Sequence, residues 1–346
     1  MNNLALDFSK TLNTAAKKEL AEIIEHFFSV GGEDIAVYAD AFRRKHYGKK
    51  VFFRGLIEFT SHCKNDCLYC GIRGGNKNAK RYRLTKEEIL ECCQTGYDLG
   101  FRTFVLQGGE DPHYTDSILC DIVCDIKSRF SDCAVTLSAG ERSRDSYKSL
   151  KDAGADRYLL RHETANSAHY KKIHPKYLSF DTRRGCLFTL KELGYQVGAG
   201  FMVGSPFQTC ETLADDLIFL RTLNPHMVGI GPFIPHKDTV FSGYSAGKTS
   251  RTLVMLSLVR IMLPAVLLPA TTALGTIDPQ GREKALRVGA NVVMPNLSPI
   301  EHREEYSLYD NKICTGEEAA ECLACISNRI KSAGFVPDFS RGDYCD

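Results

Sequence analysis

The sequence lacks a strong excess of either charge, and this absence argues against one class of partner. Its 346 residues contain 44 Lys or Arg and 42 Asp or Glu, so the formal net charge is only +2. Proteins that bind a phosphate backbone present clustered basic surfaces. The near balance of charge therefore makes nucleic acid an unexpected partner.

Long apolar runs are also absent. None reaches the roughly 18 residues that a membrane-spanning helix needs. The first residues, with Asp7 in a polar opening, do not form the apolar core of a signal peptide. No composition shift or linker divides the chain in its middle. We therefore expect a cytoplasmic protein that does not contact a membrane.

Cysteine, by contrast, is abundant, with 14 residues. In a chain without a secretion signal this number indicates reduced thiols and metal ligands. Cys63, Cys67 and Cys70 form a Cys-x3-Cys-x2-Cys motif after an apolar, strand-like segment. A four-iron cluster normally has four cysteine ligands, so three leave one iron free to bind a reactant. The alternatives are zinc with a remote fourth ligand, or buried thiols without metal.

A second cysteine motif lies near the C-terminus. Cys314, Cys322 and Cys325 have the spacing Cys-x7-Cys-x2-Cys, which predicts a second iron-sulfur cluster, either 2Fe-2S or 4Fe-4S. A structural or vestigial role is the alternative. The other cysteines show no comparable spacing and are interpreted as ordinary small buried residues.

Strand-like and helix-like runs alternate along most of the chain, which is typical of a parallel sheet covered by helices. Eight strands imply a closed parallel (β/α) barrel of the TIM type in the α/β class, with an open doubly wound sheet as the alternative. We predict a helical extension over residues 1–50, the barrel over 51–296 and a cysteine-bearing tail over 297–346. The strands are predicted near residues 51–59, 103–107, 134–138, 157–161, 196–202, 227–230, 267–271 and 291–294.

Amphipathic runs between these strands predict the outer helices. Thr85, followed three residues later by Glu88, forms a capping box for the first of them. Gly100 and Gly194 stand where helices should end. The helices are predicted near residues 86–99, 117–130, 144–153, 181–193, 211–223, 251–263 and 281–288.

The first predicted strand carries two charged residues on one face. Side chains alternate across a strand, so Arg54 and Glu58 lie opposite the apolar face that contains Phe53. If the apolar face contacts the helices, both charges point into the barrel, where branched apolar residues are usual. A buried charge is costly unless it is paired or solvated. The barrel interior should therefore be a polar cavity.

Reactive groups in such barrels collect at the carboxyl ends of the strands. The first cysteine triplet follows the first predicted strand, and polar or flexible residues end or follow five others. We expect one site built from the triplet and Gly108, Gly109, Glu110, Ser138, Arg161, Glu163, Thr271, Thr272 and Met294.

The triplet together with the run from Gly108 to Glu110 resembles the radical S-adenosylmethionine (SAM) enzymes. Further stretches resemble the HydE family of FeFe-hydrogenase maturases, from about residue 50 to the C-terminus. Position 108 is more often Ser in that family, and Gly108 offers no side-chain contact there. The stretches are Arg54 to Glu58, Arg157 to Asn166, Val228 to His236 and Pro269 to Ala273.

The resemblance implies two cofactors: a 4Fe-4S cluster on the three cysteines, and SAM bound to its open iron. It also implies that Glu163 binds the ribose and that Arg161 and Arg183 bind the methionine carboxylate. Glycine allows the backbone to approach the methionine amine. The cofactor-binding residues that the resemblance implies are Tyr69, Gln107, Gly108, Gly109, Glu110, Ser138, Arg161, Glu163 and Arg183.

The resemblance further implies a reaction. An electron donor such as flavodoxin or ferredoxin reduces the cluster, and SAM is split into methionine and a deoxyadenosyl radical. The radical attacks the sulfur of a cysteine-bound iron complex that carries carbon monoxide and cyanide. The product enters assembly of the two-iron subcluster, with the HydG and HydF maturases as partners and the protein itself a monomer. The implied substrate-binding residues are Arg54, Thr136, Thr271, Thr272, Met294 and Tyr306.

Two related activities and one non-enzymatic role are the alternatives. A radical SAM amino-acid mutase of the methylornithine synthase type has no use for the cysteines of the tail. Biotin synthase holds a further cluster on barrel strands, and Cys133, the nearest candidate, has no partners at matching positions. A zinc-binding assembly scaffold would use both triplets structurally.

Overall fold

Three helices occupy the first 50 residues. The computed structural model describes residues 3–316 and 319–345, without the side chains of Ala320 and Cys322. The first helices are α1 (Asn3–Thr14), α2 (Lys17–Val30) and α3 (Glu33–Tyr47).

Parallel sheets form the centre of the protein. The strands of the described residues are β1 (Lys50–Phe53), β2 (Gly55–Thr60), β3 (Thr103–Gly108), β4 (Ala134–Ser138), β5 (Arg157–Leu159), β6 (Gln196–Val203), β7 (Met227–Pro232), β8 (Val292–Val293) and β9 (Val336–Asp338). Strands β2 to β7 form one sheet in chain order, and every neighbouring pair is parallel. A second sheet has the order β8-β1-β9 and is also parallel.

Helices connect most successive strands, as the alternating pattern predicts. In the described part of the chain none is long and apolar enough to cross a membrane. The capping box of α4 is confirmed, since Glu88 N donates to Thr85 Oγ1 and Thr85 N donates to Glu88 Oε2. The remaining helices are α4 (Lys86–Asp98), α5 (Asp116–Arg129), α6 (Arg144–Asp152), α7 (Ser167–Ile173), α8 (Phe180–Glu192), α9 (Cys210–Leu223), α10 (Thr249–Met262), α11 (Thr272–Ile277), α12 (Gly281–Arg287), α13 (Ile300–Arg303) and α14 (Ala319–Ser332).

The N-terminal helices share the main hydrophobic core. Helix α2 packs on α9, and α1 and α3 pack on α10. Leu12, Leu20 and Ile35 are buried in the same cluster as the strand residues Phe53 and Val228. The extension therefore covers the outer helices of the sheet region.

The strand pattern differs from the predicted eight in three places, and one of them is β9, which lies in the predicted tail and pairs with β1. The first predicted strand is interrupted at Arg54, because β1 pairs with β8 and β9 whereas β2 pairs with β3. The predicted strand near 267–271 is reduced to single parallel bridges, Met227 with Leu267 and Pro269 with Val292. Proline has no N–H to donate, which explains why no regular ladder forms there. The fold shown is an α/β fold with parallel sheets.

Candidate functional site

A cavity of about 360 Å³ lies at the carboxyl ends of the strands. This volume suits a small-molecule site. The cavity brings together most residues that the sequence singled out, from the loops and strand ends of separate elements. They are Cys63, Cys67, Tyr69, Cys70, Gln107, Gly108, Gly109, Glu110, Ser138, Arg161, Glu163, Arg183, Thr271, Thr272, Met294 and Tyr306.

The first cysteine triplet lies in the loop between β2 and α4. Backbone hydrogen bonds from separate elements fix this loop: Leu68 N donates to Ile173 O at 3.1 Å, and Gly71 N donates to Leu308 O at 2.9 Å. Arg81 donates to the Ile72 carbonyl at 2.8 Å. The loop is therefore held in a defined conformation although it has no regular secondary structure.

Burial disfavours the charged form of these thiols. It raises the pKa of Cys70 to about 12 and the pKa of Cys67 well above its usual value. Thiolates bind metal, so a cation must compensate for their burial. Among the described residues, no three His, Cys, Asp or Glu side chains are close enough to hold one metal ion.

The glycine-rich turn after β3 contacts the cysteine loop directly. Lys64 N donates to Glu110 O at 2.9 Å, and Glu110 N lies 3.4 Å from Cys63 Sγ and donates to it. A Cβ at Gly109 would lie 2.1 Å from the His62 carbonyl oxygen. Only glycine therefore allows the two segments to approach so closely.

Arg183 lies between two carboxylates at one side of the cavity. Its Nη1 is 3.3 Å from Glu110 Oε1 and 3.2 Å from Glu141 Oε1. Burial lowers the pKa of the guanidinium, but Glu110 and Glu141 outweigh burial and raise the pKa above its usual value. Arg183 is therefore charged, and its Nε has no hydrogen-bond partner among the described residues. No local sequence pattern singled out Glu141.

Arg161 and Glu163 form the opposite side of the same region. Arg161 Nη2 lies 3.2 Å from Glu163 Oε2, but the two atoms are not aligned for a hydrogen bond. Arg161 Nε is likewise buried without a described partner. Glu163 has φ 64°, a left-handed conformation that is strained for a residue with a side chain. Buried polar atoms without partners fit a polar ligand such as a ribose or a carboxylate.

A buried pair behind the strand supports this strained turn. His162 and Asp216 are both fully buried, and His162 Nε2 lies 3.3 Å from Asp216 Oδ1. Asp216 Oδ1 also accepts from Ala165 N at 2.5 Å, and His162 Nδ1 accepts from Gly200 N at 3.3 Å. The pair connects both ends of the turn that contains Glu163 to neighbouring elements. Sequence reasoning missed Asp216, which lies 53 positions after Glu163 on helix α9.

The other side of the cavity contains four of the six predicted substrate-binding residues: Thr271, Thr272, Met294 and Tyr306. Gln107 Nε2 donates to the Tyr306 hydroxyl at 3.4 Å, and Thr271 Oγ1 is buried without a described partner. Arg282, which the sequence did not single out, donates to Thr272 Oγ1 at 3.3 Å. Polar groups therefore face the cavity from several loops.

Glu58 and Lys312 form an ion pair that also lines the cavity. Lys312 Nζ donates to both carboxylate oxygens of Glu58, at 2.7 and 2.8 Å, and to Tyr306 O at 3.0 Å. Asn296 Nδ2 donates to Glu58 Oε2 at 2.8 Å. The predicted inward direction of Glu58 is confirmed, and its partner comes from the tail.

Arg54 and Thr136 lie away from this cavity. Both are buried and line a small second cavity together with Arg157. Arg54 Nη2 donates to Gly342 O at 3.2 Å, which ties it to the tail. Alternation along a strand predicts the face on which Arg54 lies, but not its position along the strand direction. Because Arg54 precedes β2, it lies at the end opposite the cysteine loop.

The second cysteine motif is described only in part. Cys314 follows the tail segment that carries Lys312, and Arg282 Nη2 donates to its Sγ at 3.5 Å. Cys325 is exposed on helix α14. The side chain of Cys322 lies outside the described residues, so the predicted second cluster stays a prediction.

Comparison with known proteins defines the class and then the family. The model of the radical SAM superfamily matches residues 57–220, which include the cysteine loop, Arg161 and Glu163. The protein is thus a radical SAM enzyme. It is 50% identical over 320 residues to the FeFe hydrogenase maturase subunit HydE of Thermotoga maritima, covering 92% of this chain and 90% of that protein. The chain belongs to the HydE family.

Methylornithine synthases are more distant relatives. The 3-methylornithine synthase of Methanosarcina barkeri is 29% identical, over 94% of this chain and 89% of that protein. The crystal structure of the methylornithine synthase PylB has a TM-score of 0.81 at 25% identity, covering 96% of this chain and 97% of that one. Membership of the superfamily implies a 4Fe-4S cluster and SAM as cofactors.

Substitution of Gly109 by alanine tests the contact between the turn and the cysteine loop. The new Cβ overlaps the His62 carbonyl and lies 2.8 Å from Cys63 Cβ, so the loop must move. We expect about tenfold less iron to be retained after anaerobic reconstitution, measured by iron and sulfide analysis. Gly243→Ala is the matched control, because no atom lies within 4 Å of its Cβ. Equal iron content in both variants would contradict this account.

Substitution of Asp216 tests whether the buried pair positions Glu163. Asp216→Leu removes the acceptor for Ala165 N, whereas Asp216→Asn keeps an oxygen there. We expect the leucine variant to bind SAM about tenfold more weakly in equilibrium dialysis, and the asparagine variant to bind almost as well as the native protein. Iron content and thermal unfolding serve as controls for folding. An equal loss of SAM affinity in both variants would show that the oxygen acceptor at position 216 is not what positions Glu163.

Proposed function

We propose that this protein is a HydE-type maturase of FeFe hydrogenase, which uses SAM radical chemistry on an iron-bound cysteine substrate. One observation carries the proposal: a single cavity joins the cysteine loop, Arg161 and Glu163 to a separate set of polar residues from later loops. The 50% identity to the Thermotoga maritima HydE subunit supports the assignment of the family's activity.

The residues at the loop fit both cofactors. Cys63, Cys67 and Cys70 would hold three irons of a 4Fe-4S cluster, which leaves the fourth iron for SAM. When bound there, the reduced cluster supplies the electron that cleaves SAM into methionine and a deoxyadenosyl radical. The donor from Glu110 N to Cys63 Sγ stabilises the thiolate charge that cluster binding requires.

The charged residues of the cavity would orient SAM. Glu163 Oε2 and Arg161 Nη2 form an ion pair at 3.2 Å but no hydrogen bond among the described residues. Ribose hydroxyls can therefore donate to Glu163, and Arg161 can donate to a carboxylate. Arg183, held between Glu110 and Glu141, keeps a fixed positive charge beside them. The further cofactor contacts that we propose come from Tyr69, Gln107, Gly108, Gly109 and Ser138, which line the same cavity.

The remaining cavity wall would hold the substrate. The charge of Lys312 is neutralised by Glu58, so Arg282 supplies the positive charge of a wall that contains Thr271, Thr272 and Tyr306. This charge suits an anionic complex. We propose an iron complex that carries carbon monoxide, cyanide and cysteine, with its sulfur towards the SAM region. The surrounding walls would exclude water from the radical. Met294 lines this wall too, and we assign no substrate contact to Arg54 or Thr136.

The architecture, the domain limits and the remaining cofactor and partners complete the proposal. We infer that the barrel closes through the isolated parallel bridge between Leu56 and Asn296 and those at Leu267 and Pro269. The domain limits at residues 50 and 296 follow the change from helices to strands and the end of the bridged region. The same proposal includes a cluster on Cys314, Cys322 and Cys325, a monomeric state and a cytoplasmic location. It also includes HydG and HydF as partners.

The main experiment distinguishes this activity from that of a lysine mutase. Reduced, anaerobic protein is incubated with SAM and a cysteine-bound iron carbonyl cyanide synthon. We expect an adduct between adenosine and the substrate sulfur, identified by mass spectrometry. The matched control replaces the synthon with lysine. Rearranged lysine without any reaction of the synthon would support the methylornithine synthase alternative, whose solved structure shares the fold.

The two cysteine motifs should differ in their importance for SAM cleavage. Cys67→Ala removes a ligand beside the SAM-binding region and should abolish deoxyadenosine formation, which liquid chromatography measures. Cys322→Ala should leave most of it, because Cys314 and Cys325, the described side chains of the second motif, do not line the cavity. An equal loss of deoxyadenosine formation in both variants would show that the second motif is as important for SAM cleavage as the first.

A further inference from the structure

Exposed side chains from three segments, one of which contains the cysteine loop, form a surface that the proposed chemistry inside the cavity does not use. The segments are residues 64–80, 171–177 and 236–248. Asp66 N donates to the Tyr177 hydroxyl at 2.9 Å, and Arg73 Nη2 donates to Asp238 O at 3.3 Å. These contacts join the three segments into one continuous surface, which we call the loop surface.

The loop surface is strongly basic although the whole protein is not. The three segments contain nine Lys or Arg and two Asp, whereas the full chain contains 44 Lys or Arg and 42 Asp or Glu. Asp66 is paired with Arg73 at 2.6 Å, and Asp238 accepts from Asn78 at 2.9 Å. The nearly balanced net charge of the whole protein thus conceals a local excess of positive charge on the loop surface. The exposed lysines of the surface are Lys64, Lys77, Lys80, Lys171, Lys172, Lys176, Lys237 and Lys248.

An aromatic patch lies beside these lysines. Phe207 is 47% exposed and Tyr244 is 43% exposed, with ring centroids 5.9 Å apart. Lys172 Nζ lies 5.1 Å from the centre of the Phe207 ring. Phe207 has φ 67°, a strained conformation for a bulky side chain. A strained backbone that places the Phe207 ring in solvent does not contribute to the hydrophobic core. We therefore interpret the exposed ring as part of a binding surface.

We propose that the loop surface binds an acidic one-electron carrier protein. The inference rests on the proposed function, because radical SAM chemistry consumes one electron from outside the protein. A bound carrier would lose one electron, and the cluster on Cys63, Cys67 and Cys70 would gain it. The lysines would steer an acidic partner, and Phe207 and Tyr244 would form the apolar centre of the contact.

The position of the surface supports this partner. Leu68 and Tyr69 lie between ligand cysteines and pack on the cluster of Ile173, Met202 and Phe241 that underlies the aromatic patch. An electron that enters at the loop surface therefore reaches the cysteines without crossing the barrel. The opposite end of the barrel offers no such route, since the sheet separates it from the loop.

Charge reversal on this surface provides the test, with an acidic flavodoxin as the probe. The test variant carries Lys171→Glu, Lys172→Glu and Lys176→Glu. The matched control carries Lys45→Glu, Lys49→Glu and Lys331→Glu, which are exposed residues at the amino end of β1. We expect the test variant to bind flavodoxin at least tenfold more weakly at low salt, measured by calorimetry, and the control to bind normally.

Reduction kinetics add a second readout. Reduced flavodoxin should reduce the cluster about tenfold more slowly in the test variant, while dithionite, which needs no docking, reduces it at the native rate. Phe207→Gly relieves the strained backbone and removes the ring, so it should fold well and still bind flavodoxin more weakly. Native flavodoxin binding and reduction in the lysine variant would overturn the inference, as would equal losses in test and control variants.

Failure of the proposed function has a different signature. If dithionite-reduced native protein does not cleave SAM, the proposed function is wrong whatever flavodoxin does. If dithionite supports cleavage but the lysine substitutions have no effect on flavodoxin, only the docking proposal fails. Tighter binding of a 20-nucleotide RNA than of flavodoxin to the native protein would also overturn the docking proposal.

Discussion

Buried charge is the constraint on which the interior of this protein depends. Glu58 is 2% exposed, and it is neutralised by two hydrogen bonds from Lys312. Arg183 is shared in the same way between Glu110 and Glu141. Removing one partner of a buried pair leaves an uncompensated charge and costs about 3–5 kcal/mol. Because each partner comes from a different element, the pairs also hold the cavity walls in fixed relative positions.

Local patterns in the sequence predicted the features that depend on short spacing. The cysteine triplet, the capping box at Thr85 and the inward direction of Glu58 all follow from short runs of about four to eight neighbouring residues. The collection of reactive residues at one end of the sheet followed from the parallel arrangement itself. These features need no knowledge of which distant segments contact each other.

The rest depends on contacts between distant residues, and no local pattern carries that information. Lys312 finds Glu58 across 254 positions, and Asp216 supports Ala165 across 51. The left-handed conformation of Glu163 results from such contacts and not from its own preference. Arg54 was predicted to line the substrate cavity, but its position along the strand direction depends on where β1 ends and β2 begins. The predicted seventh strand was too regular, because Pro269 limits pairing there.

The tail determines how the cavity closes. Leu308 O accepts from Gly71 N in the cysteine loop, Lys312 donates to Glu58, and Asp310 N donates to Pro235 O at 3.1 Å. These contacts precede Cys314, so the closing segment is already anchored before the second cysteine motif begins. This part of the cavity wall is therefore fixed by hydrogen bonds that come before that motif. The first cysteine motif can therefore function independently of the second, although the segments that carry them contact each other. This independence explains how the protein could keep SAM cleavage if the second motif were lost.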